Sequence, residues 1–196
     1  LKSYQDKKYA ERYLKLVERV SNIEKIKVPG SQELTKAVSQ NYFKLLAYKD
    51  EYEVSRLYSN GDFLKKINKF FDGDFKIVFH LAPPLFSRRD LKTGEPIKTN
   101  YGKWLLSIMR LLSKLKFLRG TIFDPFGKTT ERIMERQLIK DYENTVEKLL
   151  KNLFKKNHKV AIDIAKIPEQ IRGFDVVKLR SVKSAKVLEK ELLVEF

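Results

Sequence analysis

The side chains best suited to chemistry in this sequence are cationic, and most of them lie between residues 80 and 98. The set, with Arg119 brought close by the helix that follows, is His80, Arg88, Arg89, Lys92, Lys98 and Arg119. An imidazole can act as an acid or a base near pH 7, and an arginine fork suits carboxylates and phosphates. We therefore predict a face that docks an anion or a partner. The alternative is that these groups are hydrogen-bonded or ion-paired inside the protein.

The motifs of the common catalytic and cofactor sites are absent from the sequence. The chain has 0 cysteines, which excludes disulfides, cysteine nucleophiles, thiolate zinc sites and cysteine-ligated iron–sulfur clusters. Its 8 glycines form neither a phosphate-binding loop nor a dinucleotide fingerprint. His80 and His158 are too far apart in sequence to make a local metal-binding pair. We predict no catalytic, cofactor-binding or metal-binding residue here.

The formal net charge of +16 indicates attraction to anions. Nucleic acid is one candidate, because clustered cations neutralise phosphates. The cations are mainly lysines spread over the whole length, however, whereas recognition of bases and phosphates favours arginine. A solvated lysine-rich surface is the simpler interpretation, and a basic face for an acidic protein or a phosphorylated cofactor remains the alternative.

Hydrophobic spacing predicts a mostly α fold (α+β), namely a single helical domain with a small two- or three-stranded element around residues 74–99. The predicted helices cover residues 5–27, 34–58 with an interruption near Lys49 and Asp50, 62–71, 104–118, 130–153, 158–167 and 176–194. In the helix from Trp104, the predicted inward residues are Leu105, Ile108, Met109, Leu112, Leu115 and Leu118. Alternation over 75–81 and a short run near 96–99 predict the strands.

Two charged segments invite a catalytic interpretation, although each has a simpler structural one. Residues 49–53 place carboxylates beside a lysine, and alternating charge on a helix is typical of ion pairing. Residues 123–127 predict a tight turn in which Asp124 caps backbone amides and both phenylalanines point inward.

The ordered series of unusual segments resembles the C-terminal region of the fused, single-chain indolepyruvate ferredoxin oxidoreductases. The segments that carry the resemblance are Tyr48–Tyr58, Phe79–Leu85, Arg88–Asp90, Leu118–Gly127 and Pro168–Phe174. Residues around Tyr9–Tyr13 resemble the connector that leaves the preceding domain. The resemblance implies a connector helix over 1–30 and a C-terminal α-rich domain over 31–196. Because the chain begins with Leu1, we expect an excised or processed piece.

The resembled family converts aryl 2-oxoacids and coenzyme A to acyl-coenzyme A and reduces ferredoxin. The resemblance implies thiamine diphosphate, Mg and [4Fe–4S] clusters in the parent, with none of them in this chain. It also implies a cytoplasmic, oligomeric parent whose other domains are the partners, with ferredoxin or coenzyme A as further candidates. Nucleic acid and membrane are not expected partners. We expect the chain alone to be inactive; a basic nucleic-acid-binding module or a helical protein-interaction module is the alternative.

Overall fold

The computed structural model describes residues 1–71, 73–83, 88, 90 and 97–196, and these are 67% helical in the α and 3₁₀ sense with one small sheet. This confirms the predicted mostly α fold with a small β element. The α-helices are α1 (Lys7–Lys27), α2 (Glu33–Leu46), α3 (Glu51–Ser59), α4 (Asp62–Phe70), α5 (Leu105–Lys114), α6 (Thr130–Asn152), α7 (His158–Lys166) and α8 (Asp175–Glu195). Two 3₁₀ turns, Leu115–Leu118 and Ile167–Gln170, extend α5 and α7.

The strands are β1 (Phe79–Leu81) and β2 (Thr99–Tyr101), which pair antiparallel with Phe79 opposite Tyr101. β1 is shorter than the alternating segment that predicted it. Phe79 is 6% exposed whereas Phe75 is 40% exposed, so only the end of that segment is both paired and buried.

Aspartate side chains cap the N-termini of α1 and α3. The Asp6 carboxylate accepts a hydrogen bond from the Tyr9 backbone N–H at 2.7 Å, which caps α1. The Asp50 carboxylate accepts one from the Glu53 N–H at 2.8 Å, which caps α3. The interruption predicted near Lys49 and Asp50 is therefore confirmed, because the run over 34–58 divides into α2 and α3 at this cap.

The described chain divides into two compact units. Unit 1 comprises Leu1–Tyr48 and Met134–Phe196, and unit 2 comprises Lys49–Ile133. The sequence favoured one domain preceded by a connector over 1–30, whereas α1 is an integral part of unit 1. The reason is its apolar stripe: Val20 is fully buried in the same core as Val38 of α2, so α1 requires α2 to cover it.

The core of unit 1 combines aliphatic packing with stacked tyrosines. Tyr42 stacks between Tyr13 and Tyr142, with ring centroids 5.9 and 6.1 Å apart. Leu149 and Ile164, from α6 and α7, are among its least exposed residues. Helices α1, α2, α6 and α7 therefore share one hydrophobic core, to which α8 adds Ala185.

Unit 2 has a smaller core around Phe79, Leu106 and Met109. The prediction that Ile108 faces the core is wrong, because its side chain is 49% exposed. Leu106 is buried, although it was not among the residues predicted to face inward. Apolar residues occupy more than half of the circumference of the helix and leave polar only the side of Ser107, Arg110 and Lys114, so their spacing does not select one narrow face.

Candidate functional site

The polar residues of unit 2 meet in a buried network around Asp50, and the segments that hold them are ones that carry the resemblance. The guanidinium of Arg119 donates from Nη2 to Asp50 Oδ1 at 2.9 Å, and its Nε donates to Oδ2. Asp50 and Arg119 side chains are only 3% and 6% exposed. Because both charges are withdrawn from water, each one stabilises the other inside the protein. We call Asp50, Tyr52, Arg119 and Asp124 the Asp50 network.

Tyr52 and Asp124 form the second half of this network. The Tyr52 hydroxyl donates to Asp124 Oδ1 at 3.0 Å, and the Arg119 guanidinium carbon lies 5.6 Å from the centroid of the Tyr52 ring. Burial, followed by the hydrogen bond to Asp124, raises the pKa of Tyr52 far above its ordinary value. The hydroxyl therefore stays protonated at physiological pH and acts as a fixed donor.

Asp124 also organises the turn that contains it. Its carboxylate accepts from the Gly120 N–H at 2.8 Å and from the Phe126 N–H at 3.1 Å, which confirms the predicted capping role. A Cβ at Gly127 would lie 2.7 Å from Asp124 Oδ2, so this close approach requires glycine. Phe126 packs edge-on against Tyr52, but the inward placement predicted for Phe123 is wrong, since it is 74% exposed.

The remaining carboxylates of the charged segment 49–53 are also paired within unit 2. Arg132 donates to both oxygens of Glu51, at 3.1 and 3.2 Å. Arg56 donates to both oxygens of Glu53, at 2.7 and 2.8 Å. The prediction that this segment forms internal ion pairs is confirmed. Glu51 ties α3 to the first turn of α6, whereas the Glu53 pair lies within α3.

The predicted docking residues are only partly brought together. His80 is exposed in β1 opposite Asn100, and Arg88 and Lys98 are exposed near the ends of the same hairpin. The Ile97 N–H donates to the Arg88 carbonyl at 2.8 Å, which ties these two segments. Arg89 and Lys92 fall outside the described residues. Arg119 is buried against Asp50, so it serves as an internal tie, and the docking face over His80, Arg88 and Lys98 stays a prediction.

Unit 1 contains a separate buried carboxylate, Glu24, which organises the start of α2. It is fully buried and accepts from the Leu34 and Thr35 backbone N–H groups at 2.9 and 2.8 Å. The Thr35 and Ser31 hydroxyls also donate to it, and His158 Nε2 lies 2.8 Å from Oε1. Burial opposes ionisation, but the hydrogen bonds from Thr35, His158 and Leu34 prevail and lower the pKa of Glu24 below its ordinary value.

A second polar cluster in unit 1 joins three helices. Arg12 of α1 binds Glu143 of α6 through two hydrogen bonds of 2.7 Å. The hydroxyl of Tyr42, in α2, donates to the same carboxylate. Burial and the hydrogen bond to Glu143 raise the pKa of Tyr42 well above its ordinary range, so this hydroxyl is also a permanent donor.

A small cavity in unit 1 lies beside Tyr142 and Pro168, with Lys186 and Glu189 among its lining residues. Its volume of about 20 Å³ has room for roughly one water molecule. The cavity is therefore a packing feature of α6, α7 and α8.

The surface feature that the sequence interpretation missed is one side of α5. Trp104, Ile108 and Leu111 are 59%, 49% and 63% exposed, and we call these three residues the α5 face. Residues 97–123 also contain cations but neither aspartate nor glutamate. The signal was present in the sequence, because an apolar arc wider than half of a helix needs a cover on more than one side.

Over the part of the chain that the structure describes, no group of three or more histidine, aspartate or glutamate residues is arranged to hold a metal ion. Within the same ranges, no helix combines the length and the apolar character that crossing a membrane requires.

Comparison with known proteins places the chain in a family but assigns no activity. No curated protein and no solved structure matches the chain. One family model, described as a family of unknown function (DUF6537), matches residues 1–191. The match covers nearly the whole sequence, and the chain belongs to this family of unknown function, DUF6537.

Proposed function

We propose that the chain is a non-catalytic accessory domain that serves assembly of a cytoplasmic indolepyruvate ferredoxin oxidoreductase. In that parent, an aryl 2-oxoacid and coenzyme A yield the acyl-coenzyme A and carbon dioxide, and two electrons pass to ferredoxin. Support comes first from the ordered series of segments between residues 36 and 180 that resemble the C-terminal region of that family. The other domains of the parent are the partners.

The observation that carries the proposal is where the side chains of the resembling segments lie. Asp50 and Tyr52 of one segment bond Arg119 and Asp124 of another, inside unit 2. Groups that could have supported acid–base chemistry are therefore engaged in holding the fold. A domain that uses its distinctive polar residues in this way contributes through the surfaces that it presents to others.

The residues of this chain do not fit the cofactors of the parent. A [4Fe–4S] cluster is held by cysteine thiolates, and the chain has 0 cysteines. Its glycine–aspartate pairs, at Gly61 and Gly73, lack the longer pattern that resembles a thiamine-diphosphate metal site. Both cofactors are therefore assigned to other domains, and no step of the reaction is routed through this one.

The test begins with the full-length protein as it is encoded. The proposal expects the same reading frame to encode cysteine clusters and a thiamine-diphosphate domain. The purified full-length protein is then expected to contain iron and to reduce ferredoxin or a viologen dye when given indolepyruvate and coenzyme A. A reading frame without those segments, or a full-length protein without this activity, would overturn the proposal.

The nucleic-acid alternative is tested with the same preparation. Binding to DNA or RNA that persists at physiological ionic strength and weakens steeply with added salt would favour it. The assembly proposal expects no such binding.

A further inference from the structure

The exposed side of α5 is apolar although its opposite side already belongs to a core. Leu106 and Met109 are each 4% exposed and pack with Phe79 in unit 2. At about 100° per residue, Trp104, Ile108 and Leu111 share an arc of about 60° on the side opposite those two residues. Trp104 precedes α5 with helical backbone angles and therefore continues the same stripe.

Such a helix is typical of one that is covered on both sides. A surface helix normally has an apolar stripe only where it meets the core, whereas the apolar arc of α5 continues past the core to the opposite side and leaves polar only the side of Arg110 and Lys114. Trp104 is 59% exposed and contacts the Tyr101 ring only edge-on, at a centroid distance of 6.0 Å. Tryptophan and other aromatic residues are enriched at the centres of protein interfaces.

The charges around this stripe define the chemistry of its partner. Lys103, Arg110 and Lys114 lie along one edge of the stripe and are exposed. None of the three has an ion-pair partner among the residues that the structure describes. Because residues 97–123 contain no acidic residue, nothing within this segment neutralises them. A complementary surface has an apolar centre with carboxylates beside it.

Three other occupants fit less well. A second copy of this chain would bring the same cations against one another. Nucleic acid would place phosphates against the apolar stripe. A lipid surface takes up whole side chains to a depth of about 5–10 Å, whereas Ile108 is already half buried within unit 2. A flat, half-exposed stripe suits side-by-side packing against another protein.

We propose that the α5 face docks an acidic protein surface with an apolar centre, and that this surface belongs to another domain of the parent oxidoreductase. The proposal rests on the assembly function and names the contact through which the domain acts. The α5 face forms the centre of the contact, and Lys103, Arg110 and Lys114 form its charged edge.

The test is hydroxyl-radical footprinting of the full-length protein, read residue by residue by mass spectrometry. Leu111 and Leu14 are a matched pair, because they share one side-chain chemistry and are 63% and 49% exposed in this chain. If the α5 face is docked, Leu111 is modified at least about fivefold more slowly than Leu14, since a docked interface excludes water. Equal or faster modification of Leu111 in the assembled protein would overturn the proposal.

Charge reversal identifies the partner chemistry. In the full-length protein, Arg110→Glu with Lys114→Glu is expected to raise the Leu111 modification rate to that of Leu14. The control, Arg180→Glu with Lys183→Glu, changes the same charge on exposed residues of α8 and is expected to leave Leu111 protected. Equal effects of the two double variants would contradict a carboxylate partner at α5.

Further outcomes separate this proposal from the assembly function. If Leu111 is protected in a full-length protein that has no oxidoreductase domains, the claim that α5 docks an acidic protein surface survives. The claim that this surface belongs to an oxidoreductase is then wrong. Protection that appears only when vesicles with anionic headgroups are added would assign the face to a membrane and overturn the proposal. An active, assembled oxidoreductase with an unprotected Leu111 would overturn the α5 contact alone.

Discussion

Removing Arg119 leaves the Asp50 carboxylate buried without its main partner, and we expect a large loss of stability in unit 2. Arg119 supplies two hydrogen bonds to Asp50, after which the Glu53 N–H is the one donor that remains among the described residues. With Asp50 3% exposed, water cannot replace the guanidinium without opening the site. Breaking a buried ion pair from one side costs about 3–5 kcal/mol, so Arg119→Met is expected to cost that much.

The assay is urea unfolding of the chain followed by tryptophan fluorescence. Trp104 is the single tryptophan of the sequence and lies in unit 2, so its fluorescence emission reports on the unfolding of that unit. With an m-value of about 1.5 kcal/mol per molar urea, the unfolding midpoint is expected to fall by about 2–3 M. Circular dichroism at 222 nm reports the helices of both units in the same samples.

Two further variants distinguish the buried charge from a general effect of losing an arginine. Arg56→Met breaks a more exposed pair, in which Arg56 is 29% exposed, and is expected to cost about 1 kcal/mol or less. Asp50→Asn combined with Arg119→Met removes both charges and keeps an N-cap residue, so much of the loss is expected to be recovered. If Arg119→Met costs no more than Arg56→Met, the Asp50 network does not support unit 2 as described.

Three further variants address the other sites. Glu24→Gln is expected to cost about 3 kcal/mol at pH 7, because an amide cannot accept all the hydrogen bonds that the carboxylate accepts. Folding lowers the pKa of Glu24 below its ordinary value of 4.5. The stability that the ionised carboxylate contributes is therefore present above pH 4.5 and is lost as the pH falls through the lowered pKa. If stability falls with the same slope in acid for Glu24→Gln and for the unaltered chain, this assignment is wrong. Gly127→Ala places a Cβ 2.7 Å from Asp124 Oδ2 and is expected to lower the free energy of unfolding in urea by about 1–3 kcal/mol. The control is Gly102→Ala, whose Cβ would lie 3.3 Å from a side-chain carbon of Trp104, and it is expected to cost clearly less. Arg88→Glu with Arg89→Glu in the full-length enzyme is expected to weaken assembly, coenzyme A affinity or ferredoxin turnover at low salt; no change in all three would end the predicted docking face around His80.

The helices could be predicted because their signals are local. Asp50 interrupts a long apolar pattern and its carboxylate caps the next helix, so the break between α2 and α3 follows from neighbouring residues. The role of Asp124 could also be predicted, because both amides that it caps are within four residues of it. The first strand was predicted in place but too long, and β2 begins at Thr99, where the predicted run near 96–99 ends, because the paired residues are set by the partner strand.

The polar contacts inside each unit join residues that are far apart in the chain. His158 reaches Glu24 across 134 positions, and Arg119 reaches Asp50 across 69, so neither pair has a local signature. The two-unit division has the same origin, because unit 1 joins both ends of the chain. The α5 face was missed for a different reason: with apolar residues over more than half of the helix circumference, the periodicity identifies a helix but not which part of that arc meets the core of unit 2.

The most direct test of the proposed assembly function compares the full-length protein, expected to be the oxidoreductase, with a version that lacks these 196 residues. Light scattering gives the mass of each assembly, and iron content and ferredoxin turnover are measured on the same samples. We predict that the shortened enzyme retains its iron but loses its assembled mass and most of its turnover. We further predict that co-expression of the separate chain restores both. A shortened enzyme with the mass and turnover of the intact one would contradict the account.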